Sequence, residues 1–487
     1  MNPSPVAFGS WEPDAISVRP GAAELINNVR PIKDGYAPLE APVRAGKGIS
    51  GDAVSAKQFA VDKTSIIFAG TPDKVYRIQG ESSALIGSGF QAGKEFGWGM
   101  DLFLNEFFCC NSNDGLYKAN TASGALSPQS NAPKARFCKN IENFLFLAGV
   151  VGHPARVQWS GYENATTWTP DSATQSDIND LQSEYGDIRG ISGAPYPSIY
   201  QRNAITRVTF VGGQVVFSFN TLERNKGLLS SNSLVSTGKN DYFLSDDGFN
   251  VWDGQRAKNI DEGRIKEWFN ANITEANKYF VKGAVDFRRK MIFWTWPDSN
   301  YYLAYSYLWD RFVRCEYEDG FNTTGLFPVS APSPGIDLDT DAPGEAAHLD
   351  ASDSLPDDYD DPFWRDGSMQ AGFLHNGDMS LFTGTPLQAT MDTTDYNPIV
   401  GKVSNISEIW PIVDVGSGSA ITAQVGSKMH SIGEAVSFST AEQRNAAGYC
   451  PVRGSGQFFR ARITVPAGES WEKATGAYIT GRPGGKR

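Results

Sequence analysis

A repeated strand–turn–strand pattern constrains this chain more than any other feature of its sequence. Short stretches rich in β-branched and aromatic residues alternate with turn residues such as Asp-Gly and Pro-Asp, which favour tight hairpins. The turn centres lie near residues 73, 114, 153, 197, 247, 298 and 378. Most successive gaps are about 40 to 50 residues, the repeat length of β-propeller blades. We therefore predict an all-β fold based on a degenerate β-propeller with six or seven blades.

The one long gap in the repeat coincides with an acidic segment at residues 329–367. This segment has ten Asp and one Glu against one Arg, so it carries −10 of the chain's net charge of −12. Subtracting its 39 residues shortens the last gap from 80 to 41 and restores the repeat. We interpret the segment as an insertion that faces water, because unpaired charges are too costly to bury.

Two regions flank the predicted propeller, which we assign to residues 51–387. Residues 1–50 contain seven prolines, which break helices and central strands, and they predict an extended N-terminal arm that becomes ordered only against another chain. Within the arm, residues 21–28 follow Pro20 and suggest one short helix. Residues 388–487 lose the repeat but keep strand-like alternation, which predicts a C-terminal β-sandwich.

Helix is scarce elsewhere in the sequence. The best candidate begins near Asp261, where Ile265, Trp268 and Phe269 take positions on one helical face. Its simplest role is to pack between blades.

The sequence offers no metal, cofactor or catalytic site. The four histidines are too far apart in the sequence to form a typical metal site. They are His153, His348, His375 and His430. Asp337, Asp339 and Asp341 imitate the start of a calcium loop, but Ala342 and His348 replace the required Gly and Glu. No P-loop, dinucleotide-binding glycine pattern or nucleophile elbow is present. We therefore predict a protein that is not an enzyme.

The cysteines, the apolar runs and the net charge narrow the class of protein further. The five cysteines, at 109, 110, 138, 315 and 450, have no metal spacing and are interpreted as reduced core thiols. The apolar runs are too short for a membrane span and the N-terminus does not resemble a signal peptide, so we expect an unsecreted protein without stable membrane insertion. Outside residues 329–367 the net charge is only −2, which argues against sequence-specific DNA binding.

One pattern leaves a hydrolase open as an alternative. The turn from Ser245 to Trp252 resembles the Asp-box of sialidase-type propellers, although its Gly lies one position early, and Ser112 to Gly115 departs in the same way. A glycosidase also needs two carboxylates that face one sugar, which a sequence alone does not reveal. We interpret both turns as ordinary hairpins.

Three stretches of the chain resemble the nozzle proteins of short-tailed bacteriophages, also called tail tubular or packaged-DNA stabilisation proteins. The first runs from Val18 through Asn28-Val29-Arg30-Pro31 to Pro38. The second comprises Arg202-Asn203-Ala204-Ile205, Gly212-Gly213, Leu244 to Phe249 and Trp252-Asp253-Gly254. The third begins at Leu387 to Met391 and ends with Tyr478 and Gly481-Arg482-Pro483.

The resemblance implies a structural virion protein. Such proteins form a ring, usually of six copies, below the portal and its adaptor, and DNA leaves the particle through the ring. It implies self-association, contacts with an adaptor and with tail fibres or spikes, and assembly in the host cytoplasm. The near-neutral charge outside residues 329–367 agrees with a channel wall that does not bind the phosphates of DNA tightly. A glycan hydrolase of a phage tail and a receptor-binding tail protein remain the alternatives.

Overall fold

The computed structural model describes residues 4–15, 19, 21–61, 64–193, 195–213, 215–323, 325–332, 369–399, 401–416, 420–431 and 433–484. Nearly all of its regular structure is β-strand. Within these ranges no helix combines the length and hydropathy that a membrane span requires.

The chain begins with seven strands that are shared among several sheets. They are β1 (Ser4–Ala7), β2 (Ser10–Trp11), β3 (Ala22–Ala23), β4 (Ile26–Asn27), β5 (Val29–Ile32), β6 (Gly35–Pro38) and β7 (Glu40–Lys47).

Seven four-stranded antiparallel units follow, and each is one blade of a β-propeller. Blades one to three contain β8 (Ser55–Val61), β9 (Thr64–Gly70), β10 (Lys74–Gln79), β11 (Ser82–Ser88), β12 (Gly99–Phe103), β13 (Glu106–Asn111), β14 (Gly115–Asn120), β15 (Ser127–Pro128), β16 (Ala135–Ile141), β17 (Phe144–Val150), β18 (His153–Trp159) and β19 (Asp177–Asp180). Blades four and five contain β20 (Ile188–Ser192), β21 (Ser198–Gln201), β22 (Ala204–Phe210), β23 (Phe217–Arg224), β24 (Val235–Ser236), β25 (Asp241–Ser245), β26 (Gly248–Trp252) and β27 (Ala257–Asn259). Blade six contains β28 (Lys282–Asp286), β29 (Met291–Thr295), β30 (Tyr301–Ser306) and β31 (Arg311–Glu316). Blade seven contains β32 (Phe327–Pro332), β33 (Met369–His375), β34 (Asp378–Pro386) and β7.

The seventh blade closes the ring with a strand from the other end of the chain. Its outer strand is β7, which pairs antiparallel with β34. The first strand of each blade lies innermost, and β32 contacts β8, so the last blade meets the first. The propeller prediction is confirmed, with seven blades.

The predicted turn centres mark the blades, with one shift. Six of the seven centres fall on the turn between the second and third strands of a blade. The exception is residue 197, which follows the first strand of blade four, whereas the second and third strands of that blade meet at Arg202-Asn203. The predicted turn centre of blade four therefore lies one turn too early, because Pro195 and Pro197 are a stronger turn signal than Arg202-Asn203.

Aromatic side chains fill the space between blades. Phe68 of blade one stacks on Phe107 of blade two, with ring centroids 3.6 Å apart and planes 6° apart. Strand β17 is buried on both faces, which explains its continuous apolar sequence from Phe144 to Val150. The blades are thus joined mainly by buried apolar surface.

The C-terminal strands form a second, two-sheet unit. They are β35 (Ala389–Asp392), β36 (Ser404–Val415), β37 (Thr422–Lys428), β38 (Ser437–Phe438), β39 (Glu442–Gln443), β40 (Cys450–Gly456), β41 (Phe458–Val465) and β42 (Trp471–Pro483). One sheet has the order β40-β36-β42-β6-β5, and β1 also pairs with β42. The other runs β4-β35-β41-β37-β38 and continues from β31 of blade six. In β41 the alternating residues Phe459, Ala461, Ile463 and Val465 are buried, which agrees with the strand-like alternation of the sequence.

The N-terminal region requires a correction. Residues 1–50 are extended, as predicted, but the described part does not form a separate arm that waits for another chain. Strands β1, β4, β5 and β6 belong to the C-terminal sandwich and β7 belongs to blade seven. The helix expected at 21–28 is also absent, because this stretch forms β3 and β4. The sandwich is therefore built from both ends of the chain.

The remaining helical segments are short. They are η1 (Ser183–Tyr185), η2 (Ser231–Ser233), α1 (Lys266–Ala271) and η3 (Asn277–Phe280). The expected helix begins five residues after Asp261, and the Asp14 carboxylate accepts hydrogen bonds of 2.7 and 3.0 Å from the Glu267 and Trp268 amides. A residue of the N-terminal region thus satisfies the first turn of α1.

The acidic insertion begins later than predicted. Residues 329–332 lie inside β32, where Pro332 pairs with Met369 of β33. The rest of the predicted insertion lies outside the described residues. The insertion point therefore lies between the first and second strands of blade seven.

Candidate interaction face

One face of the propeller carries most of its exposed large apolar side chains. Because neighbouring strands of a blade are antiparallel, the first-to-second and third-to-fourth strand connections emerge together. We call this side the loop face. It carries Leu104, Tyr162, Tyr196, Phe210, Val211, Val215, Leu308 and Trp309, all of them exposed. On the opposite face, Val151 is the one large apolar residue that is comparably exposed among the described residues.

The most exposed part of the loop face is the hairpin that joins β22 and β23. Val211 and Val215 at its tip are 58% and 61% exposed, and Phe210 precedes them. Phe210 rests on the buried rings of Phe144 and Phe217, with centroid distances of 6.2 and 5.5 Å. The base of the hairpin is therefore anchored in the core while its apolar tip meets water.

Two tyrosines of blades three and four extend this apolar surface. Tyr162 of blade three packs against Phe144, with ring centroids 5.3 Å apart. Tyr196 lies over Gly254, where an added Cβ would come within 2.5 Å of its ring. The Arg207 guanidinium lies 5.1 Å from the same ring. Packing and a cation–π contact thus hold Tyr196 in place although it remains exposed.

The propeller axis is narrow. The first strands of the blades enclose a cavity of about 420 Å³, lined by residues such as Lys57, Met100, Lys139, Val285 and Val329. Such a cavity holds small molecules, whereas a DNA duplex does not fit within it. A path for DNA would therefore have to lie outside the axis of a single propeller.

The two Asp-box-like turns are structural hairpins. Ser245 pairs with Gly248 between β25 and β26, as the hairpin interpretation predicts. The Asp247 carboxylate accepts a 2.7 Å hydrogen bond from Asn250 and lies 3.1 Å from the Lys226 ammonium, while Asp246 pairs with Arg202.

The turn from Ser112 to Gly115 is held in the same way. The Asp114 carboxylate accepts hydrogen bonds of 2.9 Å from Asn111 and 2.8 Å from the Gln91 amide. At both turns the carboxylates hold the local backbone and side chains together.

The histidines lie apart from one another. His153 is exposed in blade three, and His430 is exposed in the sandwich. His375 is buried in blade seven, where Nε2 lies 2.8 Å from Ser380 Oγ and burial lowers the pKa of the ring. His348 and the triad Asp337, Asp339 and Asp341 lie outside the described residues. Within the described ranges no group of three metal-ligating side chains converges.

All five cysteines are buried and none forms a disulfide. Burial raises the pKa values of the Cys109 and Cys110 thiols well above the usual value, so both stay protonated at neutral pH. These thiols behave as core side chains.

Sequence reasoning missed the loop face. Its members are scattered from Leu104 to Trp309, and they share a face only because each occupies the same kind of connection in a different blade. One local signal was available, since Phe210-Val211 and Val215-Val216 are apolar residues on both sides of a Gly-Gly turn, where polar residues are usual.

Comparison with known proteins gives structural similarity alone. No protein-family model matches the sequence, and no curated protein matches it significantly. Among solved structures, the Neurospora crassa Pan2 WD40 domain is similar at 9% identity and TM-score 0.38, over 62% of this chain and 91% of that one. BamB from Moraxella catarrhalis gives 9% identity and TM-score 0.34, over 69% and 93% of the two chains. BBS1N in complex with ARL6DN gives 8% identity and TM-score 0.40, over 71% and 97%.

Proposed function

We propose that this chain is a structural virion protein that forms the nozzle ring of a short-tailed bacteriophage, below the portal and adaptor. The observation that carries the proposal is the loop face. Soluble monomers rarely expose large contiguous apolar patches, and such patches usually mark protein contacts. The aromatic and aliphatic residues of this face are the types that form the buried centre of interfaces. In the proposed particle they contact neighbouring copies.

The pairing of an N-terminal strand with a strand of the C-terminal region supports the same family. The stretches at residues 18–38 and 387–391 resemble nozzle proteins in sequence, and they meet in one domain. Thr390 and Met391 of β35 pair with Asn27 and Ile26 of β4. Two parts of the resemblance that are about 360 residues apart thus form one folded unit.

The DNA channel belongs to the ring of copies, which we propose to be a homohexamer. The axial cavity of one propeller is too small for a duplex, so the channel wall consists of outer surfaces of several subunits. A net charge of −12 per chain gives the assembled wall no general attraction for phosphate. DNA then passes without sequence-specific binding and is retained by the closed ring. The outer surface binds the adaptor and the tail fibres or spikes.

The proposal is tested by native mass spectrometry and electron microscopy of the purified chain, alone and with a candidate adaptor protein from the same phage. We expect a closed ring whose mass corresponds to about six copies, in at least one of these two samples. A chain that stays monomeric at micromolar concentration in both samples would contradict the proposal.

A further inference from the structure

Two lysines and one aspartate meet at the propeller axis. They come from the first strands of blades one, two and three, as Lys57 of β8, Asp101 of β12 and Lys139 of β16. The Asp101 carboxylate lies 3.5 Å from the Lys57 ammonium and 3.1 Å from the Lys139 ammonium. It also accepts a 2.7 Å hydrogen bond from the Asn140 amide. One carboxylate therefore serves two ammonium groups.

The axial cavity faces the lysines and not the aspartate. Lys57 and Lys139 line the cavity and keep 41% and 18% of their side-chain surface accessible. Asp101 keeps 9% and lies behind them. With two positive charges against one negative, the cluster presents a net charge of +1 to the cavity. Ser231 lines the same cavity, and its hydroxyl is buried without a hydrogen-bond partner among the described residues.

We propose that the axial cavity binds one small oxyanion, a tetrahedral phosphate-like group or a carboxylate, between the ammonium groups of Lys57 and Lys139. The anion balances the excess charge and accepts hydrogen bonds from both lysines, and the Ser231 hydroxyl is available as a further donor. The cavity of about 420 Å³ accommodates an ion of this size with its bound water.

The ionisation of Lys57 gives the site a distinctive pH dependence. The pKa of Lys57 is lowered to about 8, because burial and the repulsion from Lys139 together outweigh the attraction of Asp101. Cys138 is the other titratable group near this ammonium. Burial also disfavours the Lys139 ammonium, but its contact with Asp101 outweighs burial and raises its pKa. Anion affinity should therefore fall as pH rises through about 8, when Lys57 loses its proton.

The test is isothermal titration calorimetry of the full chain with sulfate and, separately, with acetate, at constant ionic strength set by chloride. Neither probe titrates between pH 6.5 and 9.5, so a change in affinity over that range reports on the protein. We expect one site per chain, and the stronger probe identifies the ligand class. Between pH 7 and pH 9 we expect the affinity to fall about tenfold, since the site loses one of its two ammonium groups.

Three variants assign the binding to this cluster. Lys57→Met and Lys139→Met should each weaken binding by about tenfold or more. Lys282→Met is the matched control, because the pKa of Lys282 is also about 8 but its ammonium donates 3.0 Å hydrogen bonds to the Ala53 and Leu326 carbonyls outside this cavity.

The proposal is overturned if neither probe binds the wild-type chain, if the affinity is the same at pH 7 and pH 9, or if Lys282→Met weakens binding as much as Lys57→Met. The pH comparison needs only the wild-type chain, so it decides the matter even if a variant does not fold.

Discussion

The guanidinium of Arg460 in β41 donates a 2.7 Å hydrogen bond to Glu24, a residue 436 positions earlier in the chain. The same group donates another 2.7 Å hydrogen bond, through Nε, to the buried carboxylate of Asp395. Arg460 is almost fully enclosed, with 3% of its side chain exposed. Desolvation is outweighed by these carboxylates, which raise the pKa of Arg460. This contact ties the first strands of the chain to the last sheet.

Replacing Arg460 with Met should destabilise the protein strongly. The change leaves Asp395 with Lys428 as its ion-pair partner and leaves Glu24 without its partner in β41. Breaking a buried pair by removing one member typically costs about 3 kcal/mol. Urea unfolding should show this loss, whereas Arg156→Met, at the exposed pair with Asp180, should change little. Equal effects in the two variants would refute a special role for the Arg460 contact.

Deleting residues 1–45 should prevent stable folding. The deletion removes most of the outer strand of blade seven and the sandwich strands β1, β4, β5 and β6. It also removes the fully buried side chains of Trp11, Ile26, Tyr36 and Leu39. Each such side chain contributes about 2 kcal/mol or more, so the loss of these four is comparable to the usual margin of stability, and the lost strand pairings add to it. Circular dichroism melting should show no cooperative transition, and a normal melting curve for the truncated chain would contradict the closure by β7.

The position of the prolines explains why the sequence suggested a free arm. Pro31 lies in β5 and Pro42 lies in β7, and both strands are at the edge of their sheets. An edge strand tolerates Pro because one side of it needs no ladder hydrogen bonds. Pro38 is the last residue of β6, which lies between β42 and β5, so proline content excluded neither edge strands nor the end of an inner strand. Strand β7 pairs with β34, and the β5–β6 hairpin joins its sheet through β42, so both contacts join residues more than 300 positions apart, a distance that local patterns do not report.

Other strand boundaries are difficult to predict because the turns between the strands lack the usual turn residues. The sequence from Leu102 to Cys110 resembles one continuous strand, but it contains parts of β12 and β13, joined by a turn at Leu104-Asn105 in which both residues have positive φ, 51° and 62°. Glu142-Asn143 makes the same kind of turn with φ of 51° and 60°. Such turns normally use Gly, and here only Asn gives a weak signal. The repeat length could be predicted because the turns between the second and third strands contain the usual turn residues, such as Asp-Gly and Pro-Asp.

The pH dependence of stability should change when Asp261 is replaced by Asn. Burial raises the pKa of Asp261 from 3.8 to about 6, although the Phe249 amide donates a 2.8 Å hydrogen bond to its carboxylate. Because the folded pKa is the higher one, Asp261 supports folding most below pH 3.8, and this contribution is lost as pH rises through 6.

Asn keeps an oxygen that accepts from the Phe249 amide and never ionises. Asp261→Asn should therefore resemble the wild type near pH 4 and be more stable by about 2 kcal/mol at pH 7. Urea unfolding at both pH values measures the difference. A variant that is less stable than the wild type at pH 7 would mean that the ionised carboxylate is favourable where it lies.

Replacing residues 337–361 with a short Gly-Ser linker should leave the propeller folded. The six residues of β32, Phe327–Pro332, pair with Leu374–Met369 of β33, and this ladder is complete without the acidic segment. The change in loop length alters closure entropy only slightly. The melting temperature should stay close to that of the wild type, and loss of cooperative unfolding would show that the segment is part of the fold. In particles of the proposed phage, the same variant tests whether the segment serves DNA retention or fibre attachment.

Introducing charge at the tip of the β22–β23 hairpin should block assembly without unfolding the subunit. Val211 and Val215 are exposed in the isolated chain, so Asp at both positions meets water there and stability should hardly change. In an interface the same carboxylates would be buried without partners, at a cost of several kcal/mol. Val151→Asp is the matched control, because Val151 is similarly exposed but lies on the opposite face. Native mass spectrometry should find rings for the control and single subunits for the double variant, and intact rings in the double variant would exclude the hairpin from the interface.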